Sequence, residues 1–143
     1  MNQRIVVVRR IEKGIALDRD YVALPKDYGK DSYFRRPDIQ AIRSLVFETL
    51  DALEEKTGFH RKMAESRQVV IKPNLVSVYH RSGMFEEDYP ESTDPRILDA
   101  VIEWVQRYHK KVVIAESSGK PMPTATSFRI SGIDRIAQYR KTG

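Results

Sequence analysis

The sequence predicts an α/β domain: a small three-layer sandwich around a mainly parallel sheet, incomplete at its edges. Three observations predict it. Short apolar, β-branched runs recur near residues 4–10, 68–76 and 111–119. Segments of helical period follow them, giving the order strand, helix, strand, helix, strand, helix. Alternation of this kind favours parallel strands joined by right-handed helical crossovers. The 143 residues are assigned to one α/β domain spanning 1–143.

The first strand is expected in "RIVVVRR", residues 4–10, which is apolar on both faces. Residues 12–36 are polar, with Tyr21, Tyr28, Tyr33 and Phe34 scattered among them, and are read as a long irregular segment. A helix follows from Pro37 to Lys56. Pro37 suits its first turn, and Ile39, Ile42, Leu45, Val46, Leu50 and Leu53 form its apolar stripe. Gly58 is its C-terminal stop. "QVVIKPNLV", residues 68–76, is the second strand, with Val69, Val70 and Ile71 expected to be buried on both faces.

Residues 77–93 form a long loop in which Glu86, Glu87, Asp88 and Glu91 stand beside Tyr79, Phe85 and Tyr89. Such a loop is either a lid or simply solvated. The next helix opens at "STDPRIL", where Thr93 or Asp94 caps it and Pro95 fits its first turn. Ile97, Leu98, Val101, Ile102 and Val105 line one side, and Trp104 flanks them as packing. "KVVIAESSG", residues 111–119, is the third strand and its exit. A Pro-rich turn, "KPMPTATS", and a short helix near 131–141 close the sequence.

Composition excludes several chemistries. There is no cysteine, so disulfides, thiolate zinc sites and cysteine-ligated iron–sulfur clusters are impossible within these residues. The three histidines lack metal-ligand spacing. No run approaches the ~18 apolar residues of a membrane span, and "MNQRIVVVRR" is too short for an export signal. A reducing, cytoplasmic setting fits both features. The formal charge of +5 favours anionic partners. The basic residues are dispersed along the chain, however, and no nucleic-acid motif occurs, so nucleic acid is not the expected partner. GxxxxGK[ST], GxGxxG, GxSxG and HExxH are all absent.

In open α/β sheets, ligands bind beyond the carboxyl ends of the strands. Two polar clusters fall there: Lys72–Pro73–Asn74, and Glu116–Ser117–Ser118–Gly119–Lys120. Thr93 and Asp94 belong to a connection leaving the same edge. Lys72 supplies a cation and three donors for phosphate or carboxylate, and base or imine chemistry if it is desolvated. Asn74 donates and accepts. Ser117, Ser118 and the Gly119 backbone suit an oxyanion, with Lys120 adding charge. Glu116 suits proton transfer, or metal binding together with Asp94. Each has a plainer reading. Lys72 snorkels to water, Pro73 ends a ladder, Asn74 stabilises a turn, residues 116–119 are an ordinary strand exit, and Thr93–Asp94–Pro95 is a helix cap.

"VVIKPNLV", then "STDPRILDAVIEWV", then "KVVIAESSG" and a following "T…F…SGI" resemble the family called Domain of Unknown Function 362 over residues 67 to about 136. The ordered set, above all a strand ending in KPNL joined through a loop to TDP, carries the resemblance. It implies a longer protein, many members adding ferredoxin-like cysteine clusters for 4Fe–4S centres, and a redox-linked or ligand-transforming enzyme in some. On that resemblance the chain is expected to be the front portion of a larger family unit. The first functional expectation is an enzyme or enzyme fragment binding an anionic small molecule, with Lys72 and Glu116 as its catalytic residues. The second is a non-catalytic module docking on a protein partner, or on itself, through an exposed sheet edge.

Overall fold

A computed structural model of the chain describes residues 5–9, 24–75, 92–117 and 123–143. The element order is α1 (Asp31–Phe34), α2 (Pro37–Thr57), α3 (His60–Glu65), β1 (Val69–Ile71), α4 (Pro95–Gln106), β2 (Val112–Ile114), α5 (Thr124–Ser131) and α6 (Ile133–Arg140). β1 and β2 pair in parallel, with Val69 opposite Val112 and Ile71 opposite Ile114. The α/β class and the parallel crossover through α4 are as the sequence predicts.

Helix boundaries follow their punctuation. Pro37 stands in the first turn of α2, and Gly58 ends it in the left-handed region at φ 59°, its N–H returning to the Glu54 carbonyl. Asp94 caps α4 by accepting from the Arg96 N–H, with Pro95 in the first turn. Ile39, Ile42 and Val46 of α2 are buried, and α2 packs along α4. Val69 and Ile71 of β1 and Val112 and Ile114 of β2 share one core with Leu98, Ile102, Ile133 and Ile136. Trp104 sits at the centre of that core, fully buried. It stacks on Phe59 at 5.4 Å, and its indole N–H donates to Asp51 Oδ1 at 2.7 Å.

Several expectations change. Residues 5–9 form no strand, and Val6 and Val8 are largely exposed. β-branched propensity makes a strand only when a ladder partner meets it. Val70 is half-exposed, not buried on both faces, because the helices of the core cover one face of the two-stranded sheet. The segment expected to be irregular up to residue 36 contains a turn and α1. Tyr28 and Tyr33 bury edge-to-face at 5.1 Å. Ile97 is 41% exposed, since the buried stripe of α4 centres on Leu98, Ile102 and Val105. The closing helix is two helices: "TATSFRIS" forms α5, and Gly132, at φ 81°, turns the chain into α6. The loop of residues 77–93, read as a lid or as simply solvated, lies outside the described residues up to 91. Among the described residues, no helix is long and apolar enough to cross a membrane.

Candidate functional site

The parallel register decides what meets at the carboxyl end of the sheet. The Ala115 N–H donates to the Ile71 carbonyl at 3.1 Å, carrying the ladder one step past β2. Lys72 and Glu116 therefore leave neighbouring strands at the same end. Lys72 Nζ donates to Glu116 Oε2 at 2.5 Å. The two ends of the pair differ: the lysine side chain is 67% exposed and the glutamate side chain only 5%. Glu116 Oε1 accepts from the Ser117 N–H at 2.7 Å. The Lys72 hydrogen bond is the main cause holding the Glu116 carboxyl below its ordinary range. Desolvation opposes it, and the Ser117 N–H adds to it. The Lys72 ammonium is thus mostly solvated and paired with a carboxylate.

A second knot fixes the neighbouring connection. The Thr93 N–H donates to the Asn74 carbonyl at 2.7 Å, and the Asn74 N–H donates to Thr93 Oγ1 at 2.8 Å. Leu75 and Ser92 form an antiparallel bridge beside them. Pro73 is buried and Leu75 nearly inaccessible, so the KPNL strand end is anchored by its apolar members while Lys72 and Asn74 stay exposed. Four residues predicted from sequence (Lys72, Glu116, Asn74 and Thr93) thus come together in two hydrogen-bonded pairs, joined through Pro73. Ser117 adjoins the first pair.

Asp94 takes the helix-capping position that the sequence offered as its plainer reading. Its carboxylate caps α4 and accepts from the Arg96 guanidinium at 2.8 and 3.1 Å. Arg96 is nearly fully buried and reaches Asp38 Oδ2 at 3.4 Å. Asp38 in turn accepts a bidentate pair from Arg36 at 2.8 and 3.0 Å. Burial raises the Asp38 pKa, but the Arg36 bonds outweigh it and the net direction is down. Asp94 is therefore held by Arg96 and by its own helix. Arg96, which sequence reasoning missed, ties the 92–94 connection to α2. Its one signal was an arginine two residues after a capping aspartate.

Ser118, Gly119 and Lys120 lie outside the described residues. Among the described residues, no group of three His, Cys, Asp or Glu side chains is placed to hold a metal ion. An iron–sulfur cluster held by cysteine thiolates does not fit these residues, because cysteine is absent from the sequence.

No curated protein and no solved structure shows a significant match to the chain. A family profile, Domain of unknown function (DUF362), matches residues 34–142, covering α2, the KPNL strand end, the TDP cap and both strands. The match includes every site residue named above and most of the sequence. The chain belongs to the DUF362 family.

Proposed function

We propose that the rim at the carboxyl ends of β1 and β2 binds a small anionic molecule, anchored by Lys72. The supporting observation is the asymmetry of the Lys72–Glu116 pair, with an exposed ammonium held by a covered carboxylate. An ammonium has three donors, and Glu116 takes one of them. Donors therefore remain for a ligand, while the glutamate fixes where the charge stands. Asn74 and Ser117 orient the bound molecule, and Thr93 holds the Asn74 backbone. In the enzymatic form of this reading Glu116, kept ionised by Lys72, receives a proton from the ligand, and Lys72 neutralises charge that develops beside it. Titration calorimetry against a panel of phosphate- and carboxylate-bearing metabolites tests the proposal. Lys72→Ala should abolish binding of any hit, and a hit bound with unchanged affinity by that variant overturns it.

A second reading rests on β1. Among the described residues it pairs with β2 alone, and Val70 is 52% exposed. An open edge of this kind recruits another strand, so the module would dock on a protein partner or on a second copy. A concentration-dependent dimer that Val70→Lys dissolves supports this reading; a monomer at every concentration removes self-association.

A further inference from the structure

A second charged surface lies at the amino ends of the strands, opposite the rim. Arg67 stands in the turn before β1, and Lys110 and Lys111 in the turn before β2. Two sets of contacts hold these turns side by side. The Val69 N–H donates to the Lys111 carbonyl at 3.0 Å. The His109 ring spans the gap, its Nδ1 accepting from the Lys111 N–H at 3.1 Å and its Nε2 donating to the Ser66 carbonyl at 3.0 Å. α3 closes the group, since the His60 ring lies 5.4 Å from the Tyr108 ring, and it brings Arg61 and Lys62. All five cations are exposed, and none forms a salt bridge with a carboxylate among the described residues. The nearby acids are Glu54, bound to His60 and also facing the charge of Arg61, Asp51, bound to Arg107, and Glu65, which ends α3 four residues after Arg61. Arg67, Lys110 and Lys111, dispersed in the sequence, thus stand on two adjoining turns, with α3 and its Arg61 and Lys62 beside them.

The composition of this pole selects its partner. Protein interfaces favour aromatic anchors and arginine and are depleted in lysine. Three of these five cations are lysines, and the exposed large apolar side chains (Ile5, Val6, Val8, Val70, Ile97 and Tyr139) lie on neither turn and not on α3. Point charges without an apolar anchor match a phosphate backbone, which is bound by neutralising phosphates and releasing counterions. We propose that this pole docks on the phosphate backbone of nucleic acid, without base readout, independently of the anionic ligand at the rim.

Fluorescence anisotropy with a labelled DNA duplex tests it. If all five cations neutralise phosphates, log affinity falls against log salt with a slope of about −4.5, weakening binding roughly 500-fold between about 50 and 200 mM. The triple variant Arg67→Glu, Lys110→Glu, Lys111→Glu should lose at least tenfold in affinity at low salt and flatten that slope below about 2. The charge-matched control Lys26→Glu, Lys30→Glu, Arg129→Glu alters exposed cations elsewhere and should lose far less. Lys72→Ala should bind DNA as the parent does, which separates this proposal from the rim. Far-UV circular dichroism confirms that each variant is folded. No rise in anisotropy at low salt, or equal loss in the control, overturns the proposal. Equal binding to polyglutamate would replace nucleic acid with an acidic protein, and preference for phosphatidylserine vesicles would replace it with a membrane surface; either result also overturns it.

Discussion

Arg96→Met is the most informative single perturbation, because Arg96 joins stability to the candidate site. Its guanidinium is 3% exposed and bonds Asp94 in bidentate fashion and Asp38 at 3.4 Å. Methionine keeps most of the stem and removes the charge. Deleting one partner of a buried ion pair costs about 3–5 kcal/mol, chiefly through the charge left behind. Here each carboxylate keeps another partner: Asp38 keeps Arg36, and Asp94 keeps the Arg96 backbone N–H. The expected loss therefore sits at the low end, about 3 kcal/mol. That is a large share of the roughly 5–15 kcal/mol that stabilises a domain. Trp104 is the only tryptophan and is fully buried, so urea unfolding followed by its fluorescence reads the loss directly. Asp94→Asn keeps a good cap residue while removing the charge, and in the Arg96→Met background it should cost less than it does alone. A loss below about 1 kcal/mol for Arg96→Met, or strict additivity in the cycle, would refute the reasoning.

Ile102→Ala should cost about 3 kcal/mol, from three buried carbons at ~0.8 kcal/mol each plus a cavity contribution. Ile97→Ala, on the same helix but 41% exposed, should cost under about 1 kcal/mol; equal losses in urea unfolding would contradict the burial assigned to α4. Gly132→Ala should cost about 2 kcal/mol or more, since its φ is +81° and a Cβ would meet Leu24 Cβ at 2.6 Å; a neutral melting temperature would refute it. Glu116 has its carboxyl held low in the folded state by the Lys72 hydrogen bond. Its contribution is therefore present above the unfolded pKa near 4.5 and is lost as pH falls through the lower folded value. Glu116→Gln should flatten the acid limb of stability as pH falls below about 4.5, and an unchanged limb in urea midpoints against pH would count against the Lys72 pairing.

The rim was legible because its logic is local. A parallel crossover puts consecutive strands' carboxyl ends together, so Lys72 and Glu116 followed from two apolar runs and the helix between them. Asn74 and Thr93 were legible for the same reason. The buried polar framework was not. Arg96 meets Asp38 across 58 positions, and Asp99 meets Arg140 across 41 and Tyr28 across 71. In the sequence these charges look like the solvated faces of helices, because only tertiary contact tells a paired buried charge from an exposed one. α1 and α3 are too short to show a helical period. Residues 5–9 carry a strand's composition, but no partner strand among the described residues pairs with them.

The location of the charge also constrains how the two surfaces work. The formal +5 suggests a general attraction for anions, yet at the rim the Lys72 charge is already shared with Glu116 at 2.5 Å. An anion arriving there gains orientation from Asn74, Ser117 and a fixed ammonium more than it gains net Coulomb energy, so binding at the rim should depend weakly on salt. Exposed cations outside any salt bridge stand together near the amino ends of the strands, on Arg67, Lys110 and Lys111, with Arg61 and Lys62 on the adjoining α3. Long-range attraction of a polyanion belongs to that pole and is lost with salt. The two surfaces therefore separate by salt dependence alone: a ligand of the rim should survive an ionic strength that strips a polyanion from the opposite pole.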